Sequence, residues 1–184
     1  MTQKPKPVRR IVTMDDKDGK SRAVADGPVA DVQTDPVRPG YSSARVWATS
    51  ATPASIRNVA DTVHWLPQAL EPPAGGSVCR IVTFPPDSSW RGKVGAGEVG
   101  AFFRSMGSPA ASAYSTRAPH PYMQKTATLD FCLVLEGEIT LVLDQQEVRL
   151  AAGDTVVQRG TSHAWSNRSE RPCVVAISSH DAIA

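Results

Sequence analysis

From Thr128 to Leu135 the chain alternates with a period of two. Leu129, Phe131, Leu133 and Leu135 share one face, and Asp130, Cys132 and Val134 share the other. That period belongs to a β-strand with one face turned inward. Glu136-Gly137-Glu138 turns the chain into a second alternating run, Ile139, Leu141 and Leu143. Asp144 to Gln146 forms a tight turn into Glu147–Leu150, where Val148 and Leu150 share a face, and Ala152-Gly153-Asp154 turns again into Thr155–Gln158. A last strand is expected over Cys173–Ser178. Upstream, short strands are expected over Arg9–Thr13 and Ser21–Val24, on either side of a turn at Asp15–Gly19, then over Ala44–Thr49 and over Ser77–Phe84, which stops at Pro85-Pro86. Asp26 to Gly40 reads as a connection. A helix from Ser55 to Leu66 would carry His64 and Trp65 at a packing or subunit contact. One or two helical turns before Gly107 would be capped by it. Short strands at even spacing with turn signals between them predict an all-β sandwich or barrel.

Composition supports that reading. Fifteen prolines and thirteen glycines, spread throughout, break the chain too often for a helical bundle. A length of 184 residues suits one domain over residues 9–184 after a disordered tail of residues 1–8. Within it, residues 9–76 read as an N-terminal extension and 77–180 as the barrel core. The net charge is only +2, and the one basic cluster (Lys4, Lys6, Arg9, Arg10) sits in the terminus, which argues against a nucleic-acid partner. No run approaches the ~18 apolar residues of a membrane span. No apolar stretch follows the charged N-terminus as in a secretory signal, so the expected location is cytoplasmic. Cys79, Cys132 and Cys173 lie in strand-like contexts without Cys-x-x-Cys spacing and read as buried free thiols. The glycines at 92, 95, 97 and 100 lack the Lys-Ser/Thr of a phosphate loop and read as a plain connection or lid.

Two blocks carry a resemblance. Leu133-Val134-Leu135-Glu136-Gly137-Glu138, and Gly153-Asp154-Thr155-Val156-Val157 with Gly160-Thr161-Ser162-His163-Ala164-Trp165-Ser166-Asn167, resemble the two motifs of the cupin superfamily, with fifteen residues between Gly137 and Gly153. The opening Arg-Arg-Ile-Val-Thr and Asp35-Pro36-Val37-Arg38-Pro39-Gly40 look like a bacterial and fungal subgroup of small cupins. The resemblance implies an all-β cupin jelly-roll β-barrel, commonly a homodimer, with short N-terminal strands, one or two short helices and a small-molecule cavity in its mouth.

The resemblance also implies a divalent metal (iron, manganese, nickel or zinc) held by histidines and a carboxylate. Carried over by position, His163 falls on the second-motif histidine and Asp130 on the carboxylate. The first-motif histidine pair should fall near Met123-Gln124-Lys125-Thr126, which has none. Gln124 is the nearest substitute, with His120 as the alternative ligand. Asp130 shares a face with Cys132 and Val134. Buried, it must meet a cation, a donor or a proton, with Lys125 or an arginine as the ordinary partner. Tyr114, Tyr122 and Met123 precede the first motif strand, where cupins line the cavity entrance, and with Gln124 and Trp165 they are candidate substrate contacts. Asn167 reads as a turn former. The leading expectation is a lyase, a dehydratase or decarboxylase of a carbonyl- or carboxyl-bearing compound, with Asp130 and His163 sharing acid–base work. The alternatives are an iron- or manganese-dependent oxygenase and a non-catalytic small-molecule binding module.

Overall fold

The computed structural model describes residues 6–56 and 66–183. Strands β1 (Arg9–Asp15) and β2 (Ser21–Pro28) form a separate antiparallel hairpin. The main sheet has six strands in the order β3 (Val32–Thr34), β4 (Ser42–Thr49), β5 (Ser77–Phe84), β11 (Cys173–Asp181), β6 (Thr128–Glu136) and β9 (Thr155–Arg159). A second sheet has the order β10 (His163–Ser166), β7 (Glu138–Leu143) and β8 (Glu147–Ala151). The protein is all-β, a cupin-type barrel in which the two sheets face one core. Val82, Phe84, Val134 and Val175 come from the large sheet, and Ile139, Leu141, Leu150 and Trp165 from the small one.

The alternation read from the sequence is what orients β6. Asp130, Cys132 and Val134 are buried, while Phe131, Leu133 and Leu135 face outward. The same parity governs β5, where Val78, Arg80, Val82 and Phe84 all point in. An arginine therefore stands among the core residues of that strand. Gly137 turns β6 into β7 at a φ of +79°, and a Cβ there would lie 2.9 Å from the Pro172 carbonyl oxygen, so only glycine fits the motif turn.

The region before residue 77 departs from the sequence reading. The stretch Asp26–Gly40 is not a plain connection: β2 runs on to Pro28, and β3 lies within it. Strands β3 and β4 belong to the main sheet, so part of the N-terminal extension is barrel wall. The turns before Gly107 are a ten-residue helix, α1 (Ala96–Ser105), whose Glu98 side chain accepts the Gly95 N–H at its start. Gly107 follows it at a φ of +69°, as a C-terminal cap. The expected helix over Ser55–Leu66, with His64 and Trp65, lies largely outside the described residues, as does most of the expected tail over residues 1–8.

Helix α1 lays Val99, Phe102 and Phe103 on the barrel. Phe102 meets Tyr41 and Tyr122 edge-on, and Trp90 meets Tyr122 in the same way. This aromatic layer closes one side of the pocket.

Candidate functional site

Motif residues converge because β10 and the segment at Gln124 pair as strands do. The Gln124 N–H donates to the His163 carbonyl at 2.8 Å, and the His163 N–H donates back to the Gln124 carbonyl at 2.9 Å. Residues exchanging both hydrogen bonds stand directly opposite, so their side chains leave on one face. The Gln124 amide nitrogen accordingly lies 3.2 Å from His163 Nε2. On the other side of the ring, Nδ1 lies 2.9 Å from the Thr161 carbonyl oxygen. A carbonyl only accepts, so Nδ1 carries the proton and Nε2 keeps a lone pair that accepts from Gln124. Burial depresses the His163 pKa, the Thr161 bond and the Asp130 charge opposing it, and the ring is neutral at neutral pH.

Asp130 reaches the same cavity from β6. It is 6% exposed, its Oδ1 is fully buried, and its carboxylate has no hydrogen-bond or ion-pair partner among the described residues. Among the described residues, the expected bridge to Lys125 or an arginine does not form. Gln158, opposite Asp130 in the β6–β9 register, has a buried Nε2 that is equally without a partner. A bare acceptor stands beside a bare donor. Such groups are costly unless something completes them.

The cavity is lined by Arg38, Tyr41, Ser43, Leu70, Arg80, Val82, Phe84, Phe102, Tyr122, Gln124, Thr126, Asp130, Cys132, His163, Trp165, Ile177 and Ser179. Of the residues picked out in the sequence, His163, Asp130, Gln124, Tyr122 and Trp165 thus share one pocket. Three others do not line it. Met123 is buried in a separate cluster with Val142 and Ala164, away from the cavity that Gln124 lines. Tyr114 packs half-buried against the core. His120 is buried between Trp90 and Tyr122, its Nδ1 accepting the Tyr122 N–H at 3.2 Å and its Nε2 3.6 Å from Asp87. It is held in place by that packing and is no substitute ligand. Burial lowers its pKa, with Asp87 pulling the other way.

The sequence reading missed the arginines. Arg80 sits at an inward position of β5 that strict alternation marks once Val78 and Val82 are taken as core. Its guanidinium donates to the carbonyls of Leu70, at 3.0 Å, and Ala69. Burial brings its pKa down to about 10, so it stays charged. Arg38 comes from the loop before β4, where no periodicity marks it. The Cys132 thiol also lines the pocket and is pushed up to about 12 by burial, then by Asp130, so it is no thiolate nucleophile.

Residues 115–179 match the model of the Cupin_2 family, described as a cupin domain. The chain is 34% identical over 128 residues to the phomopsin biosynthesis cluster protein C' of Diaporthe leptostromiformis, covering 67% of this chain and 51% of that protein. It is 29% identical over 126 residues to the cupin-domain-containing oxidoreductase virC of Hypocrea virens, covering 66% of this chain and 48% of that protein. The chain thus spans about half the length of these curated relatives. A cupin 2 conserved barrel domain protein from Salinispora arenicola aligns over 83% of each chain at 13% identity and a TM-score of 0.41. The chain belongs to the cupin superfamily and carries a cupin domain with relatives in fungal biosynthesis clusters. No helix among the described residues is long and apolar enough to cross a membrane.

Cupins imply a divalent metal, and the donor set can be weighed against one. No three His, Cys, Asp or Glu side chains among the described residues are grouped to hold an ion. The pocket offers one imidazole, one carboxylate and a neutral amide, which is a poor ligand for a transition metal. These residues do not fit the ordinary cupin metal.

Proposed function

We propose that this cupin is a small-molecule lyase, a dehydratase or decarboxylase acting by proton transfer on a carbonyl- or carboxyl-bearing compound. One observation carries the reading: a neutral His163, its Nε2 lone pair directed by the Nδ1–H to Thr161, shares a cavity with the partnerless Asp130. In a dehydration, Nε2 takes the proton from the carbon beside the carbonyl. The C–O bond on the next carbon breaks, the leaving hydroxyl takes that proton from the imidazolium, and water departs with His163 restored. Asp130 accepts a hydrogen bond from that hydroxyl and holds it in place. The Gln124 amide, turning from His163 to the substrate carbonyl oxygen, frees the lone pair and stabilises the developing enolate.

The test incubates the protein in D2O with 3-hydroxybutanoate, 2-oxobutanoate and malate, followed by proton NMR. The parent should place deuterium on the carbon beside the carbonyl or expel water, and folded His163→Gln should do so about 100-fold more slowly. No exchange by the parent on any of the three sinks the lyase reading. Binding without exchange supports the plain binding module instead. The printed name of the Hypocrea virens relative favours a second reading, a redox enzyme. Stoichiometric iron or manganese in protein purified without chelators would support it.

A cytoplasmic location belongs to the same proposal, supported by the free Cys79, Cys132 and Cys173. Finding the protein in the culture medium of its host would contradict it. A homodimer is also proposed, from the outward face of β6 and β9, where Phe131, Leu133, Leu135 and Val157 stay exposed. The two copies should sediment as a dimer at micromolar concentration and separate in Phe131→Glu/Val157→Glu. A monomeric parent rules this out.

A further inference from the structure

Three arginines are buried among the described residues, and two are spent on structure. Arg45 pairs with Asp31 at 2.6 Å and donates to the Pro67 and Leu66 carbonyls. Arg80 holds the carbonyls of Ala69 and Leu70. Arg38 differs. Its Nε donates to Asp35 Oδ2 at 2.7 Å, and Asp35 is fixed in turn by the Val37 N–H and the Tyr122 hydroxyl. Rings cover the guanidinium: Tyr122 lies 3.7 Å, Tyr41 4.1 Å and Phe102 4.3 Å from its central carbon. The residue is 4% exposed, it lines the pocket, and its Nη2 is buried with no partner.

A planar cation stacked between rings cannot accept a ligand on its faces. Its in-plane edge is all that remains, and the Nε side of that edge is taken by Asp35. Nη2 is the donor left without a partner, and a carboxylate oxygen meets such a donor with a charge-assisted hydrogen bond. With Asp35 paired to Arg38 and Asp130 in the cavity with Arg80, the charges around the pocket balance, so it is the unmet Nη2 donor of Arg38 that calls for an acceptor.

We propose that Arg38 is the anion anchor of this pocket and that its ligand carries a carboxylate, gripped by the Nη edge while the rest of the molecule lies toward His163 and Asp130. Asp35, Tyr41 and Tyr122 are positioning residues for the guanidinium. The inference rests on the reading of this cavity as a small-molecule site, and it narrows the carbonyl- or carboxyl-bearing class to acids.

The test is binding, measured by calorimetry on the unaltered protein, with 3-hydroxybutanoate, malate and citrate each compared with its amide. At least one acid should bind about tenfold or more tightly than its amide, the difference that a charge-assisted pair makes. Arg38→Lys keeps a positive charge beside Asp35 and guards against loss of fold. It should cut the preference for the acid, because an ammonium lacks the fork. Equal binding of acid and amide, no binding of any acid, or an undiminished acid preference in folded Arg38→Lys would each overturn the anchor. The outcome is separable from the lyase reading. Acids that bind through Arg38 without deuterium exchange leave the anchor standing and the lyase fallen, and exchange on acid and amide alike does the reverse.

Discussion

Gln124→His should turn this pocket into a divalent-metal site. The substitution places a second imidazole where an amide nitrogen now lies 3.2 Å from His163 Nε2, on a backbone pair locked by two hydrogen bonds. Asp130 supplies a carboxylate in the same cavity, with no protein partner to give up. Two histidines and a carboxylate are the set that non-haem iron sites use, and zinc or cobalt bind it as well. Zinc affinity should rise about 100-fold over the parent, or ~2.7 kcal/mol. Calorimetry with zinc, and the visible spectrum of the cobalt form, give the readout. Adding His163→Ala to the variant should remove the gain. A Gln124→His protein that binds zinc no better than the parent would show that position 124 does not point at the ligand position.

The second large effect falls on stability. Asn167 is fully buried, and its amide nitrogen donates to the Phe84 carbonyl at 2.9 Å and the Arg171 carbonyl at 2.8 Å. Its Oδ1 accepts from the Ser169 N–H at 3.0 Å and the Ser169 hydroxyl at 2.8 Å. The side chain thus ties the end of β5 to the turn before β11. Asn167→Ala breaks all four bonds and leaves a buried carbonyl unsatisfied, at about 3 kcal/mol. Asn167→Asp should cost at least as much, since a carboxylate would then face two carbonyls. Urea denaturation should give a lower midpoint with an unchanged slope. A loss below about 1 kcal/mol would mean that the turn holds itself without this residue.

The two positions differ in how they could be read. Asn167 was legible as a turn residue from its place in the second motif, and three of its four bonds are local to that turn, but the one to the Phe84 carbonyl reaches a strand far away in sequence. His163 and Asp130 were legible as pocket residues because each combines a motif position with an inward face of a strand. Gln124 was placed by counting along the motif, and the paired backbone at His163 supplies the geometry. His120, Met123 and Tyr114 were misplaced because the segment before Thr128 is not a regular strand. Without a period, no face can be assigned, and packing against Trp90, Tyr122 and Val142 decided it.

The sequence by itself determined five of the six strands between residues 128 and 178, with their turns, and gave no sign of β10, the short strand that carries His163. A period of two, broken by glycines that alone tolerate a positive φ, is a local property of the chain. It also determined that Met123-Gln124-Lys125-Thr126 holds no histidine. Tertiary structure decided the chemistry of the pocket. Arg38 lies in a loop with no period, and Arg80 is the one charged residue of its strand. Arg38 reaches His163 and Asp130 only because β3, β4 and α1 close onto the barrel, while Arg80 comes in on the inner face of β5. Which buried polar groups find partners depends on contacts between residues distant in the chain. The unmet needs of Arg38 and Asp130 therefore come into view only in the folded protein.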